Sequence, residues 1–193
     1  MKLLIVGDSH AESYLPHSKI RSNAIGKTVG TPERLMQAVS GSTAIQWAKD
    51  FEVRLSRAEV SASEADATLI SLLGNDLFAA AKDGKVTVVE IIASVSALFE
   101  VLRTLSSVSK RTFVLLYGQP YHEPSLIQIE GVKWLNSAIV SCAKTVSAIT
   151  GNKIEFIDED TILERSDWPG DDIHPFESGY VKIGREIMKR CGT

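Results

Sequence analysis

Four short blocks carry the residue types that acyl-transfer chemistry requires. Near the start the chain reads Gly7-Asp8-Ser9-His10, and near its end Trp168-Pro169-Gly170-Asp171-Asp172-Ile173-His174-Pro175. Between them stand Ser40-Gly41-Ser42 and Gly74-Asn75-Asp76. A serine hydroxyl is a poor nucleophile until a neighbouring imidazole takes its proton. The imidazole in turn needs a carboxylate to fix its tautomer and stabilise the imidazolium. An Asp three residues before a His in a turn can fold back onto Nδ1 and leave Nε2 for the serine. Asp171 therefore pairs with His174 by spacing, with the adjacent Asp172 as its competitor. Pro175 biases His174 away from the helical region, which keeps the pair in a loop. Negative charge on a tetrahedral intermediate needs preorganised donors. The N–H groups of Ser9 and Gly41 and the side-chain amide of Asn75 are the candidates.

These blocks need a scaffold, and the apolar pattern supplies one. Leu3 to Val6 is a continuous apolar run ended by Gly7, as expected for a strand buried on both faces. Further strands are expected at Leu35 to Val39, Ala67 to Leu73, Thr112 to Tyr117 and Lys153 to Ile157, most of them ended by Gly or Pro signals. Helical periodicity falls between them. Ile45, Ala48, Phe51 and Leu55 form one stripe, with Ser42 and Thr43 as possible N-caps. The longest stripe runs from Val88 through Ile92, Val95, Leu98 and Leu102 to Leu105. A third, from Val132 to Ile149, is closed by Gly151, and a last helix carries Tyr180, Ile183, Ile187 and Met188. Alternating strands and helices imply a parallel sheet covered on both faces. The expected fold is a three-layer α/β/α sandwich of about five parallel strands in one domain, residues 1–193. In such a sheet ligands bind outside the carboxyl ends of the strands, and all four blocks follow strands.

Taken together, the blocks resemble the SGNH (GDSL-type) hydrolases. The resemblance rests on Gly7-Asp8-Ser9, on Gly41 within Val39-Ser40-Gly41-Ser42-Thr43, on Gly74-Asn75-Asp76 and on Asp171-Asp172-Ile173-His174, in that order over nearly the whole chain. It implies a flavodoxin-like Ser-His-Asp hydrolase whose name residues are Ser9, Gly41, Asn75 and His174, acting without a cofactor. His10 departs from the apolar residue that often follows the serine, which leaves the substrate type open.

Other residues carry weaker expectations. Leu77 and Phe78 are placed to wall an acyl pocket, Pro120 lies in a loop expected to border it, and Trp168 is placed either to stack on a sugar ring or to act as a packing wedge. The segment from Glu12 to Thr31 is a further candidate wall. His10, His17 and His122 have no spaced partner, and no metal-ligand spacing is present. Cys142 lies on an apolar stripe and reads as core, while Cys191 reads as a terminal thiol.

Composition excludes several classes. The chain has 193 residues, 44% hydrophobic and 23% charged, with 21 Lys and Arg against 24 Asp and Glu for a net charge of -3. That balance gives no footprint for nucleic acid or an anionic membrane. No apolar run approaches the ~18 residues needed to span a bilayer, and Asp8 interrupts the first apolar stretch before a signal-like segment develops. Two cysteines provide no disulfide framework, and a cytoplasmic setting is expected. The favoured function is a short-chain acyl esterase or carbohydrate O-acetyl esterase, its only expected partner a small-molecule or glycan ester. Two rivals stand beside it. One is a non-catalytic module binding a phosphate-bearing ligand, for which the first loop lacks a Gly-rich phosphate pattern. The other is an O-acyltransferase using the same triad.

Overall fold

The apolar runs assemble into one sheet. In the computed structural model the described residues are 2–8, 11, 33–38, 42–51, 53, 62–76, 87–119, 126–168 and 174–192. Five strands, β1 (Lys2–Gly7), β2 (Glu33–Ala38), β3 (Ala67–Ser71), β4 (Thr112–Leu116) and β5 (Ile154–Asp158), lie in the order β2-β1-β3-β4-β5. Every pairing is parallel. The described helices are α1 (Ala44–Lys49), α2 (Val88–Val108), α3 (Leu126–Thr150), the short α4 (Glu159–Ile162) and α5 (Glu177–Cys191).

Side-chain alternation divides the core in two. Leu4, Val6, Ile70 and Val114 join Trp47 of α1, Leu98 and Leu102 of α2, and Ile139 and Val146 of α3. Leu3, Ile5, Leu69, Phe113 and Ile157 face the other way and join Tyr180, Ile183 and Ile187 of α5. Both faces of β1 are buried, which explains its unbroken apolar run. The result is the expected three-layer α/β/α sandwich.

Local chemistry sets the helix starts. Thr43 caps α1 and Thr87 caps α2, each through a reciprocal box with the residue three positions on, Gln46 and Glu90. The capping box at Thr87 makes Val88–Val108 a helix from its first residue, despite the β-branched start. Gly151 (φ +73°) and Gly192 (φ +81°) terminate α3 and α5 in the left-handed region.

Several boundaries differ from the sequence reading. β2 starts at Glu33, two residues before the expected Leu35, because an edge strand does not require a wholly apolar sequence. α3 starts at Leu126, six residues before Val132. Val88, Ile92 and Ile149, expected on core stripes, are exposed, since the stripe on a long helix drifts past the end of the sheet it covers.

Two features fix the site end of the fold. Gly7 closes β1 with φ +150°, and a Cβ there would lie 2.0 Å from the carbonyl oxygen of Ser71. The backbones of β1 and β3 therefore meet with no room for a side chain. On the opposite face, Arg111, just before β4, donates to the carbonyl of Arg190 near the end of α5. α5 thus ends beside the amino ends of the strands and begins at their carboxyl ends. Its entry is clamped by Asp167. The Asp167 carbonyl accepts from Phe176 N–H at 2.6 Å, and its carboxylate accepts from Lys182 Nζ at 2.7 Å and Glu164 N–H at 2.9 Å. Burial pushes the Asp167 carboxyl up, but Lys182 and the Glu164 N–H outweigh it and hold the group below the usual carboxylate value.

Gly7→Ala is expected to cost on the order of 4 kcal/mol or abolish folding, read by urea denaturation. Lys182→Met should lose about 1–2 kcal/mol at neutral pH, a figure reduced for the partial exposure of the ammonium. A depressed carboxylate contributes stability above its unfolded pKa of about 3.9 and loses it as pH falls through the lower folded value. The stability gap between Lys182→Met and wild type should therefore narrow as urea titrations descend from pH 7 through this acidic range.

Candidate active site

The chain leaves β1 outward to β2 and returns to β3 on the other side of β1, so the strand order reverses between β1 and β3. In open parallel sheets that reversal opens a crevice at the carboxyl ends. The residues at this point are Gly7 and Asp8 from β1 and Ser71 to Asp76 from β3.

Asp8 is buried, 2% exposed. Its N–H extends the β1–β3 ladder by one bond, donating to the Ser71 carbonyl at 2.9 Å. Its carboxylate accepts from Ser71 Oγ at 2.9 Å and from Tyr117 Oη at 2.6 Å. Ser71 Oγ and Tyr117 Oη are 3.2 Å apart. Each hydroxyl has one hydrogen, and the shorter distances direct both hydrogens to Asp8. Burial, and then the Asp8 charge, hold the Tyr117 phenol well above its usual value, so it stays a protonated donor. Tyr117 is itself gripped at the backbone by Asn136 of α3, which accepts from its N–H at 2.9 Å and donates to its carbonyl at 2.8 Å.

Leu73 precedes the Asn75 turn and has φ +95°, an unusual conformation for a bulky residue, though its side chain is fully packed. Such strain is of order 1–3 kcal/mol and persists only where surrounding structure imposes it. Beyond it, Asn75 Nδ2 donates to the Ser42 carbonyl at 3.0 Å. Ser42 Oγ donates to the Gly7 carbonyl at 3.0 Å and accepts from the Trp47 indole at 3.0 Å. The sequence admitted Ser42 as an N-cap; the cap is Thr43, and Ser42 instead ties the end of β1 to the start of α1. Asp76 closes the same corner by accepting from Ala44 N–H at 2.8 Å. Burial raises the Asp76 carboxyl, opposed by that N–H and by the Ser94 hydroxyl.

The acidic run after β5 organises the next sector. Glu159, fully buried, accepts from Gly118 N–H at 2.7 Å, and Asp160 accepts from Gln119 N–H at 2.8 Å. Trp168 is 3% exposed, and a Cβ on Gly118 would lie 2.6 Å from its ring. The ring packs against Gly118, as the wedge role of the two read from sequence requires. His174 follows two residues before the N-cap of α5, so it stands at the carboxyl end of the sheet. Pro175 is buried against Gly179, where a Cβ would lie 2.8 Å from the proline.

The structure brings Asn75 and His174 to one end of the sheet, with Asp8 at the strand reversal. Ser9, Gly41, Leu77, Phe78, Pro120 and Asp171, like Asp172, lie outside the described residues. Ser9 is bracketed in sequence by buried Asp8 and by Ala11, which is fully buried in the cluster under α5. Sequence reasoning missed Ser71, Tyr117, Asn136 and Glu159. Their types are common in strands and helices, and only the acidic run Asp158-Glu159-Asp160 offered a signal.

No protein-family model matches the chain, and no curated protein matches it in sequence. Solved structures do match in shape. An acetylxylan esterase, Axe2, from Geobacillus stearothermophilus superposes with a TM-score of 0.71 at 15% identity, covering 100% of this chain and 94% of that one. A protein from Desulfitobacterium hafniense DCB-2 assigned to the G-D-S-L lipolytic family gives 0.67 at 18% identity, covering 98% of each. With its 2-1-3-4-5 parallel sheet and full-length superposition, the chain has the SGNH (GDSL-type) hydrolase fold.

Proposed function

We propose that this protein is a serine hydrolase that cleaves short acyl esters, acetyl groups on carbohydrate among them. The observation that carries the reading is the fixing of Asn75 Nδ2 on the Ser42 carbonyl, itself joined through the Ser42 side chain to the end of β1. A carboxamide nitrogen has two hydrogens. Holding one on a backbone carbonyl orients the other before substrate arrives, which is what an oxyanion donor requires. The fold shared with an acetylxylan esterase supports the acyl class.

In this reading Ser9 Oγ attacks the ester carbonyl carbon while His174 Nε2 takes its proton. Asp171 holds Nδ1 and stabilises the imidazolium. The oxyanion is received by the N–H groups of Ser9 and Gly41 and by Asn75 Nδ2. Collapse expels the alcohol, which takes the proton from His174. Water then attacks the acyl-serine, giving its proton to His174, and the second collapse returns that proton to Ser9 with release of the acid. No cofactor enters the sequence. Leu77, Phe78 and Pro120 are the candidate pocket residues; Trp168 contributes support beneath the Gly118 loop.

Turnover of p-nitrophenyl acetate tests the assignment. Asn75→Ala should lower kcat by about 10²–10³. Ser9→Ala should leave only the residual ~10³–10⁴ acceleration over water that binding and the oxyanion site provide. Equal rates for wild type and both variants would remove the mechanism. A panel of acyl esters from acetyl to long-chain, with O-acetylated glycans, should show its highest kcat/KM at acetyl; a long-chain optimum would overturn the substrate class.

A further inference from the structure

Tyr117 lies between the two loops that the proposed reaction depends on, and it is absent from that reaction as written above. Its hydroxyl donates to Asp8 Oδ2 at 2.6 Å, and Asp8 is the residue before Ser9. Successive Cα atoms are about 3.8 Å apart, so fixing Asp8 fixes the point from which the nucleophile's backbone departs. The same phenol also lies against Gly74, the residue before Asn75. A Cβ on Gly74 would stand 3.1 Å from the phenol oxygen and from two ring carbons, so the turn carrying Asn75 rests directly on the ring. One side chain therefore contacts the residue preceding the nucleophile and the residue preceding the oxyanion amide.

The tyrosine is fixed in its turn. Asn136 holds its backbone at both N–H and carbonyl, and its ring is buried in the α1–α2–α3 core. The phenol remains neutral under the combined action of burial and the Asp8 charge. It therefore donates to the Asp8 carboxylate while its ring and oxygen pack against Gly74. Phenylalanine would keep the ring against Gly74 but lose the bond to Asp8 and the hydroxyl that touches the turn. The joint is thus chemical as well as steric.

We infer that Tyr117 is a positioning residue for ester hydrolysis, its hydroxyl setting the separation between the Asp8-Ser9 loop and the Gly74-Asn75 loop. This rests on the serine hydrolase reading above. A displacement of about 1 Å between nucleophile and oxyanion donor can cost about 10²-fold in rate. The hydroxyl acts on this geometry and not on the pocket walls, so its loss falls on kcat and spares KM.

Tyr117→Phe, Asn75→Ala and the double variant, assayed with p-nitrophenyl acetate, test the inference as a cycle. Tyr117→Phe should lower kcat about 10- to 100-fold with KM within about twofold. In that background Asn75→Ala should cost markedly less than it does alone, because the amide is already misplaced. Losses that multiply, or a Tyr117→Phe kcat within about twofold of wild type, would overturn the proposal. A purely structural role would lower the thermal midpoint without this coupling. If Tyr117→Phe does not fold, Asn136→Ala removes both bonds that hold the Tyr117 backbone and so releases its hydroxyl, and a kcat equal to wild type in that variant overturns the proposal as well. Labelling of wild type by a fluorophosphonate probe separates the two claims. Absence of label on Ser9 sinks the hydrolase reading and this inference with it, whereas label on Ser9 with an unaffected Tyr117→Phe sinks this inference alone.

Discussion

At the carboxyl end of the sheet, β1 and β3 come together so closely that a Cβ on Gly7 would overlap the Ser71 carbonyl. That contact carries the next residue, Asp8, inward, and a carboxylate 2% exposed has to be met by donors or neutralised. Ser71 and Tyr117 meet it with hydroxyls, and bonds of this kind to a charged group contribute about 1.5–3 kcal/mol each. From this point constraints spread outward. Tyr117 is held by Asn136 on α3, the Gly7 carbonyl by Ser42, and Ser42 by the Trp47 indole on α1. The ends of three strands, the start of α1 and the middle of α3 are thereby joined through polar groups. Such a network is rigid when satisfied and costly when broken.

The other sector of the rim is built differently. Here the carboxylates lie in consecutive sequence, and each receives a backbone N–H: Asp160 N–H on Asp158, Gly118 on Glu159, Gln119 on Asp160. Trp168 fills the space over Gly118, and Asp167 grips the entry to α5 through Phe176 and Lys182. His174 therefore reaches the rim from the α5 face, while Asn75 reaches it beside α1 and α2. The sheet order reverses between β1 and β3, and both residues stand at the carboxyl end where such a reversal opens a crevice in open parallel sheets.

The parts of this architecture that depend on burial alone were legible from residue types. Runs such as Leu3 to Val6 and Phe113 to Leu116 are apolar because both faces of a central parallel strand are covered, and a run of that kind is visible without coordinates. Edge strands and helix ends were less so. β2 opens on Glu33-Arg34, which no apolar count selects, and the outer turns of α2 and α3 leave Val88, Ile92 and Ile149 in solvent. Asn75 and His174 could be singled out because glycine, asparagine and histidine are distinctive after a strand. Tyr117 could not, since an aromatic at the end of a β-branched run reads as core, and its hydroxyl acquires meaning only from Asp8, 109 positions away. Ser42 was legible as a polar residue before a helix, but the choice between capping and reaching back to Gly7 is made by tertiary contact.

The central claim is that the rim at the β1–β3 reversal carries a serine that forms a covalent acyl intermediate. Its most direct measurement is peptide mapping by mass spectrometry after rapid acid quench of turnover with an acetyl ester. The account predicts an acetyl group on Ser9, formed and lost at the rate of turnover. Steady hydrolysis with no acetylated Ser9, or with the acetyl group on a different side chain that turns over at the catalytic rate, would contradict it.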